Sequence, residues 1–285
     1  MSVYDIEGNV ISGGGGDGAF GVNGIQIYND GTSNERSGYL TYNGKKFYPI
    51  NHQAQRLLKP HQYGSGLMIA LGDSYTVMAS SNFSEFASAH GLDVLNLGMA
   101  SSTIAGSADG TTVGYHAFWK RLDDAIAAFP QTVNGTTYQT TDVKLVTMMG
   151  GANDWWTVNE SIDRLGDPTS TNKEQLWGAC KYIYQTLLTT FPNADIIVIL
   201  QPSNVAGENS NYAMWLKEGI VRDSAEMFSL PRCDCRFDWY SPVNPTDLVK
   251  YWDGDKLHLN STGEIKLFEK LELTLNTLQF YRSGV

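Results

Sequence analysis

The sequence predicts an α/β fold of three layers, helix, sheet and helix, around a central parallel sheet of about five strands, preceded by a small β-rich N-terminal appendage. Three observations carry this. From Gly66 onward short apolar runs alternate with longer stretches of helical spacing, the order produced by a parallel sheet with helices on both faces. The apolar runs break abruptly into Gly, Asp, Asn or Ser, so right-handed crossovers would gather their polar loops along one edge of the sheet. Before about residue 65 helical periodicity is missing and turn residues dominate.

Residues 1–65 are therefore assigned to the appendage and 66–285 to the main domain. Gly13 to Gly16, closed by Asp17-Gly18, lack the Gly-Lys-Ser/Thr ending of a phosphate-binding loop, so a flexible turn and no nucleotide is expected there. Asn43-Gly44 between 39–42 and 45–48 is the sequence of a two-residue type I′ hairpin. It would pair Leu40 with Phe47 on one face and Tyr39 with Tyr48 on the other.

In the main domain, strands are predicted over 67–71, 93–97, 144–149, 195–200 and 233–239. The first, Leu-Met-Ile-Ala-Leu, is apolar throughout and short, which suits a strand covered on both faces. Between the strands lie helices. Asn82 with Glu85 resembles a capped start, Phe83, Phe86 and Ala87 form an apolar face, and Gly91 sits where a helix-ending glycine belongs. Over 115–129, Phe118, Trp119, Leu122, Ala125, Ile126 and Phe129 recur at helical spacing until Pro130 stops them. Leu176, Ala179, Cys180, Ile183 and Leu187 make a third stripe, and 211–228 a fourth helix despite Gly219. In the last helix Ser261 and Glu264 read as a capping box before Ile265, Phe268, Leu271, Leu275 and Leu278.

A chain of 285 residues with 42% hydrophobic and 18% charged residues can bury a substantial core. Its net charge of -10 argues against nucleic acid or an anionic membrane surface as the main partner, since both demand clustered Lys and Arg. A neutral or cationic substrate fits this balance better. The segment Met1-Ser2-Val3-Tyr4-Asp5 lacks the basic and apolar regions of a secretory signal, and no run reaches the length of a membrane span. The expected location is cytoplasmic, or outside the cell as part of a phage or surface assembly. Cys180, Cys233 and Cys235 cannot all pair with one another and are expected to be reduced. No His, Cys and acidic cluster has metal-ligand spacing, so neither a metal nor a cofactor is called for.

Four fragments could carry chemistry: Gly72-Asp73-Ser74, Asn96-Leu97-Gly98, Gly151-Ala152-Asn153-Asp154 and Asp255-Lys256-Leu257-His258. Each alone reads as an ordinary turn or cap. Together they are informative, because every one falls at the carboxyl end of a predicted strand or just before the last helix, where open α/β sheets bind ligands. A serine hydroxyl is a poor nucleophile at neutral pH, so Ser74 would need a histidine base, a group orienting that base, and donors for a developing oxyanion.

In this order Ser74, Gly98, Asn153 and His258 resemble the four blocks of the SGNH hydrolases, also called the GDSL family. The stretch from Asp255 to Gly263 is similar to that family's Asp-x-x-His block at the start of the terminal helix, and the likeness spans about 66–280. It implies the flavodoxin-like fold of that family and a serine esterase with Ser74 as nucleophile, His258 as base and Asp255 orienting it; Asp253 competes for the last role with a less well matched spacing. It further implies an oxyanion hole made of the Ser74 and Gly98 backbone N–H groups and the Asn153 side-chain amide. Tyr75 stands where the name-giving block has Leu, at a position with no chemical role.

Trp155 and Trp156, directly after the Asn153 corner, could line the pocket and stack on a sugar ring, or pack beneath the loops. Flanking aromatics and the lack of a long apolar lid favour O-deacetylation of carbohydrate esters. The resemblance equally accommodates a lipase, lysophospholipase or thioesterase. A function of another class, a non-catalytic glycan-binding or attachment module, is motivated by the glycine-rich β start.

Overall fold

A computed structural model of the chain describes residues 63–107, 116–154, 164–202, 210–236 and 249–282, together with strand backbone between residues 3 and 47. The chain divides into two compact units, Met1–Lys59 and Pro60–Val285. In the first, β1 (Val3–Tyr4) and β2 (Val10–Ile11) pair with each other. A four-stranded antiparallel sheet follows, with β3 (Phe20–Val22), β4 (Ile25–Asn29), β5 (Gly38–Tyr42) and β6 (Lys45–Phe47) side by side in chain order. Leu40 lies opposite Phe47 and Tyr42 opposite Lys45, the register expected of an Asn43-Gly44 hairpin; the expected turn itself and the Tyr39–Tyr48 pair lie outside the described residues.

The second unit is built on a five-stranded sheet. It contains β7 (Leu67–Gly72), β8 (Asp93–Gly98), then, beyond the short hairpin of β9 (Gln131–Val133) and β10 (Thr136–Tyr138), β11 (Val143–Met149), β12 (Asp195–Leu200) and β13 (Arg232–Asp234). The order across the sheet is β13-β12-β11-β7-β8, every neighbour parallel, as the alternation of strands and helices predicts.

Successive side chains of a strand point to opposite faces, and here both faces are covered. Leu67, Ile69 and Leu71 join one core with Ile196, Val198 and Leu200, while Met68 and Ala70 join another with Ile197 and Ile199. Helices α1 (Ser74–Met78) and α2 (Ser80–Ala89) pack into the second core, and α3 (Phe118–Ala127), α4 (Leu176–Thr190) and α5 (Ser210–Met227) into the first. The terminal helix α6 (Ser261–Arg282) adds Leu267, Leu271 and Leu275 to the second. Each such fully buried side chain is worth about 1.5–3 kcal/mol, which makes the two apolar faces of β7 the natural centre of the unit.

Several boundaries differ from expectation for local reasons. α2 starts at Ser80 with Ala79 as its cap, because the Phe83 N–H bonds the Ala79 carbonyl at 2.9 Å; Asn82 lies inside the helix. Its end is as predicted: Gly91 has φ +74°, and the Leu92 and Gly91 N–H groups bond back to Ala87 and Ser88 at 2.9 and 3.0 Å. The cap of α6 is Asn260 rather than Ser261, since Asn260 Oδ1 accepts from the Thr262 and Gly263 N–H groups at 3.0 and 3.1 Å. Ile265 is 53% exposed and does not belong to that helix's buried stripe. The β9–β10 hairpin went unread although Asn134-Gly135, with φ of 49° and 83°, repeats the Asn-Gly signal of the first unit. All three cysteines are free and buried. Among the described residues no helix is long and apolar enough to cross a membrane.

Candidate active site

β7 ends at Gly72, and the chain turns at once into α1. A Cβ at Gly72 would stand 1.8 Å from Thr76 Oγ1 and 2.8 Å from the Met149 carbonyl, so only glycine lets the turn fold this tightly. Asp73 caps α1: Oδ1 accepts from the Tyr75 N–H at 3.1 Å and Oδ2 from Gln201 Nε2 at 2.8 Å. Complete burial pushes Asp73 up to about 6, with those two hydrogen bonds pulling it back toward the ordinary range. Ser74 follows as the first residue of α1, and its N–H has no acceptor among the described residues.

The loop before α6 brings His258 to Ser74. His258 Nε2 lies 2.9 Å from Ser74 Oγ, and His258 Nδ1 lies 2.6 Å from Asp255 Oδ2. The other oxygen of Asp255 accepts the Leu257 and His258 N–H groups, both at 2.9 Å, a local Asx-type turn that sets the carboxylate before it meets the ring. Desolvation works to raise Asp255, but the amides of His258 and Leu257 and the imidazole outweigh it and hold the carboxyl at about 2. Asp253 meets this loop through its main chain, its N–H donating to the His258 carbonyl at 2.9 Å. Asn260 ties the exit, since its Nδ2 donates to the carbonyls of Lys250 and Trp252, each at 3.1 Å.

Tyr75 contributes where the sequence assigns no role. Its hydroxyl donates to the Leu257 carbonyl, and its ring lies 5.6 Å from the His258 ring, centroid to centroid. The departure from Leu at this position is the signal that points to it.

Asn153 sits in a short 3-10 turn, Ala152–Asp154, after β11. Its Nδ2 donates to the Ser102 carbonyl at 3.0 Å, which leaves the second hydrogen of that amide. The turn is held on both sides. The Ala152 N–H donates to Gln201 Oε1 at 2.9 Å, and the Asp154 carboxylate accepts from the Ile104 and Ala105 N–H groups at 3.0 and 3.1 Å. Burial pushes Asp154 up to about 6 and the neighbouring Lys217 down to about 8. Gln201 follows the end of β12, a strand end from which sequence reading took no residue, yet it joins the Ser74 turn to the Asn153 turn.

Gly98 is the second oxyanion donor that the resemblance implies. Its N–H donates to Asn96 Oδ1 at 2.7 Å and is therefore engaged. What demands glycine there is packing, because a Cβ would lie 2.9 Å from the Val77 nitrogen and 3.1 Å from the Thr76 carbonyl carbon. Three residues on, Ser101 has φ +61°, is exposed, and its N–H has no acceptor among the described residues. The arrangement thus joins Ser74, His258 and Asp255 in one hydrogen-bonded line and ties Asn153 to Ser102 on the loop beside β8. Trp155 and Trp156 lie outside the described residues.

The family model for GDSL-like lipases and acylhydrolases matches residues 68–271. Among solved structures, a protein from Lactobacillus plantarum is 18% identical, with 77% of this chain and 98% of that chain covered at a TM-score of 0.55; at that identity the likeness is one of fold. A lipase/acylhydrolase from Enterococcus faecalis (15% identity, 73% and 93% covered, TM-score 0.46) and an acetylxylan esterase from Geobacillus stearothermophilus (17% identity, 76% and 96% covered, TM-score 0.47) are more distant in shape. A search of curated protein sequences returns no match.

Proposed function

The chain belongs to the GDSL-like lipase/acylhydrolase family and is an ester-bond hydrolase, and we propose that it is a serine esterase using Ser74, His258 and Asp255 to remove short acyl groups, most specifically O-acetyl groups from carbohydrates. The observation that carries the catalytic part is the line from Ser74 Oγ to His258 Nε2 at 2.9 Å and from His258 Nδ1 to Asp255 Oδ2 at 2.6 Å. As Ser74 Oγ bonds the ester carbonyl carbon, its proton passes to His258 Nε2. The resulting imidazolium is stabilised by the Asp255 carboxylate and returns the proton to the departing alcohol. Water then repeats the sequence on the acyl-enzyme, releasing the acid and restoring Ser74.

The oxyanion is assigned to the Ser74 N–H, the free hydrogen of Asn153 Nδ2 and the N–H of Ser101. The last replaces the Gly98 amide, which Asn96 already occupies. A short acyl group and a carbohydrate are favoured by the aromatics that follow Asn153 in the sequence and by the lack of a long apolar lid segment there. A net charge of -10 further disfavours anionic lipid surfaces and polyanionic thioester carriers as substrates.

The test is fluorophosphonate labelling followed by a panel of esters of graded acyl length, acetylated oligosaccharides and thioesters. Labelling at Ser74 with turnover of acetylated sugars and the shortest esters supports the reading. Turnover confined to long-chain esters or thioesters would leave the triad and discard the substrate. Absence of both label and turnover would point instead to a binding module.

A further inference from the structure

We propose that Arg121, on α3, is a positioning residue for the oxyanion hole, its guanidinium holding the ends of β7 and β8 and the loop of Ser101 and Ser102 at one fixed separation. This rests on the serine-esterase reading above. Nη2 of Arg121 donates to the Gly72 carbonyl at 2.9 Å and to Ser102 Oγ at 2.9 Å, while Nη1 donates to the Leu97 carbonyl. Gly72 is two residues before the nucleophile, and Leu97 precedes Gly98. Ser102 in turn accepts Asn153 Nδ2 on its carbonyl at 3.0 Å and donates its hydroxyl to the Met99 carbonyl at 2.6 Å. One side chain thus reaches the segments that carry the proposed donors, directly for Ser74 and Ser101 and through Ser102 for Asn153.

At the end of the sheet the Gly72 carbonyl already accepts the Met99 N–H at 3.1 Å, and a planar fork of N–H donors can add to it while reaching other oxygens at set angles. Arg121 is itself held, with Nε donating to the His116 carbonyl at 3.2 Å and the guanidinium 4.8 Å from the Phe118 ring centre. Burial pushes it down to about 10, with Asp73 opposing that shift, so it remains charged at neutral pH. A lysine has neither the reach nor the fork to hold these oxygens together. Oxyanion stabilisation depends on the placing of donors within fractions of an ångström, so loss of the fork acts on the transition state far more than on bound ester.

The experiment compares Arg121→Met, Arg121→Lys and Ser102→Ala with the unaltered chain, using the ester it turns over best. It measures kcat, KM, melting temperature, and affinity for a trifluoromethyl ketone, which adds the serine hydroxyl to form a tetrahedral oxyanion. Arg121→Met is expected to lower kcat by about a hundredfold with KM changed less than about threefold, and to weaken ketone binding by the same factor as kcat. Arg121→Lys should not restore activity, and Ser102→Ala should lose about tenfold in kcat. Folded Arg121→Met protein with kcat and ketone affinity near those of the unaltered chain overturns the proposal, as does a loss confined to KM. Should Arg121→Met fail to fold, full activity in Arg121→Lys and Ser102→Ala overturns it equally. An unaltered chain with neither fluorophosphonate label nor turnover removes the esterase reading itself, whereas an active chain with indifferent variants removes only the role of Arg121.

Discussion

The hydroxyl of Tyr75 donates to the main-chain carbonyl of Leu257, so the residue next to Ser74, the proposed nucleophile, holds the loop that carries His258, the proposed base. Tyr75 is 4% exposed and its ring leans on His258, which couples the first turn of α1 to the approach of α6. Removing the hydroxyl leaves a part-buried carbonyl without its donor, at about 1–3 kcal/mol, and frees the imidazole to wander from Ser74. Tyr75→Phe should lower both kcat and the rate of fluorophosphonate labelling by about tenfold, and Tyr75→Leu, which also loses the ring contact, by more. Equal rates in all three proteins would mean that Asp255 and Asn260 suffice to hold the loop.

The triad assignment separates two carboxylates that lie on one loop. Asp255 Oδ2 meets His258 Nδ1 at 2.6 Å, whereas Asp253 joins the loop through its main chain. Asp255→Asn should therefore lose roughly ten-thousandfold in kcat, as expected where the orienting carboxylate fixes the imidazole tautomer, and Ser74→Ala about a millionfold. Asp253→Asn should stay within about threefold of the unaltered rate, a surface change away from such features. A larger loss for Asp253→Asn than for Asp255→Asn would exchange their roles.

Much of this site was readable in the chain because its parts are local. Ser74 ends an apolar run, and Asp255 lies three residues before His258, close enough to bond the imidazole across one turn. What could not be read are partners far apart in sequence: Gln201 with Asp73, Arg121 with Gly72 and Leu97, Tyr75 with Leu257. The parallel order β12-β11-β7-β8 brings the ends of β12, β7 and β8 to one edge, and α3 and the loop before α6 meet them there. The part of Gly98 is not legible from its residue type, since a glycine can serve close packing as well as an open amide. The cap of α6 moved by one residue because Asn260 and Ser261 are both good caps, and only Asn260 also reaches the carbonyls of Lys250 and Trp252.

Asp73 should leave a signature in the pH dependence of stability. Burial holds its native carboxyl at about 6, and the unfolded chain releases that proton near 4. Between about pH 4 and 6 the folded state binds more protons, so this group's contribution falls as pH rises through that window. Asp154, also at about 6, acts with the same sign. Asp255, held at about 2, has the opposite sign, its contribution present above about pH 4 and lost only in stronger acid. Asp73→Asn keeps an oxygen for the Tyr75 N–H and removes the titration, so its melting temperature should decline less steeply from pH 4 to 6, by the equivalent of about 3 kcal/mol at most. Parallel curves for the two proteins would show that Asp73 does not titrate in this range.

Gln201 makes the sharpest prediction, because it touches two parts of the site and a double-mutant cycle can say which matters. It is 1% exposed, donates to Asp73 at 2.8 Å and accepts from the Ala152 N–H at 2.9 Å, one residue before Asn153. Gln201→Leu preserves volume and removes both bonds. If its main effect is to release the Asn153 turn, Gln201→Leu should cost about tenfold in kcat, while Asn153→Ala alone should cost a hundredfold to a thousandfold. The double variant should then be no slower than Asn153→Ala, since a donor already absent cannot be misplaced. If the losses multiply instead, Gln201 acts through Asp73 on the nucleophile, and fluorophosphonate labelling of Gln201→Leu should slow by the same factor as its kcat.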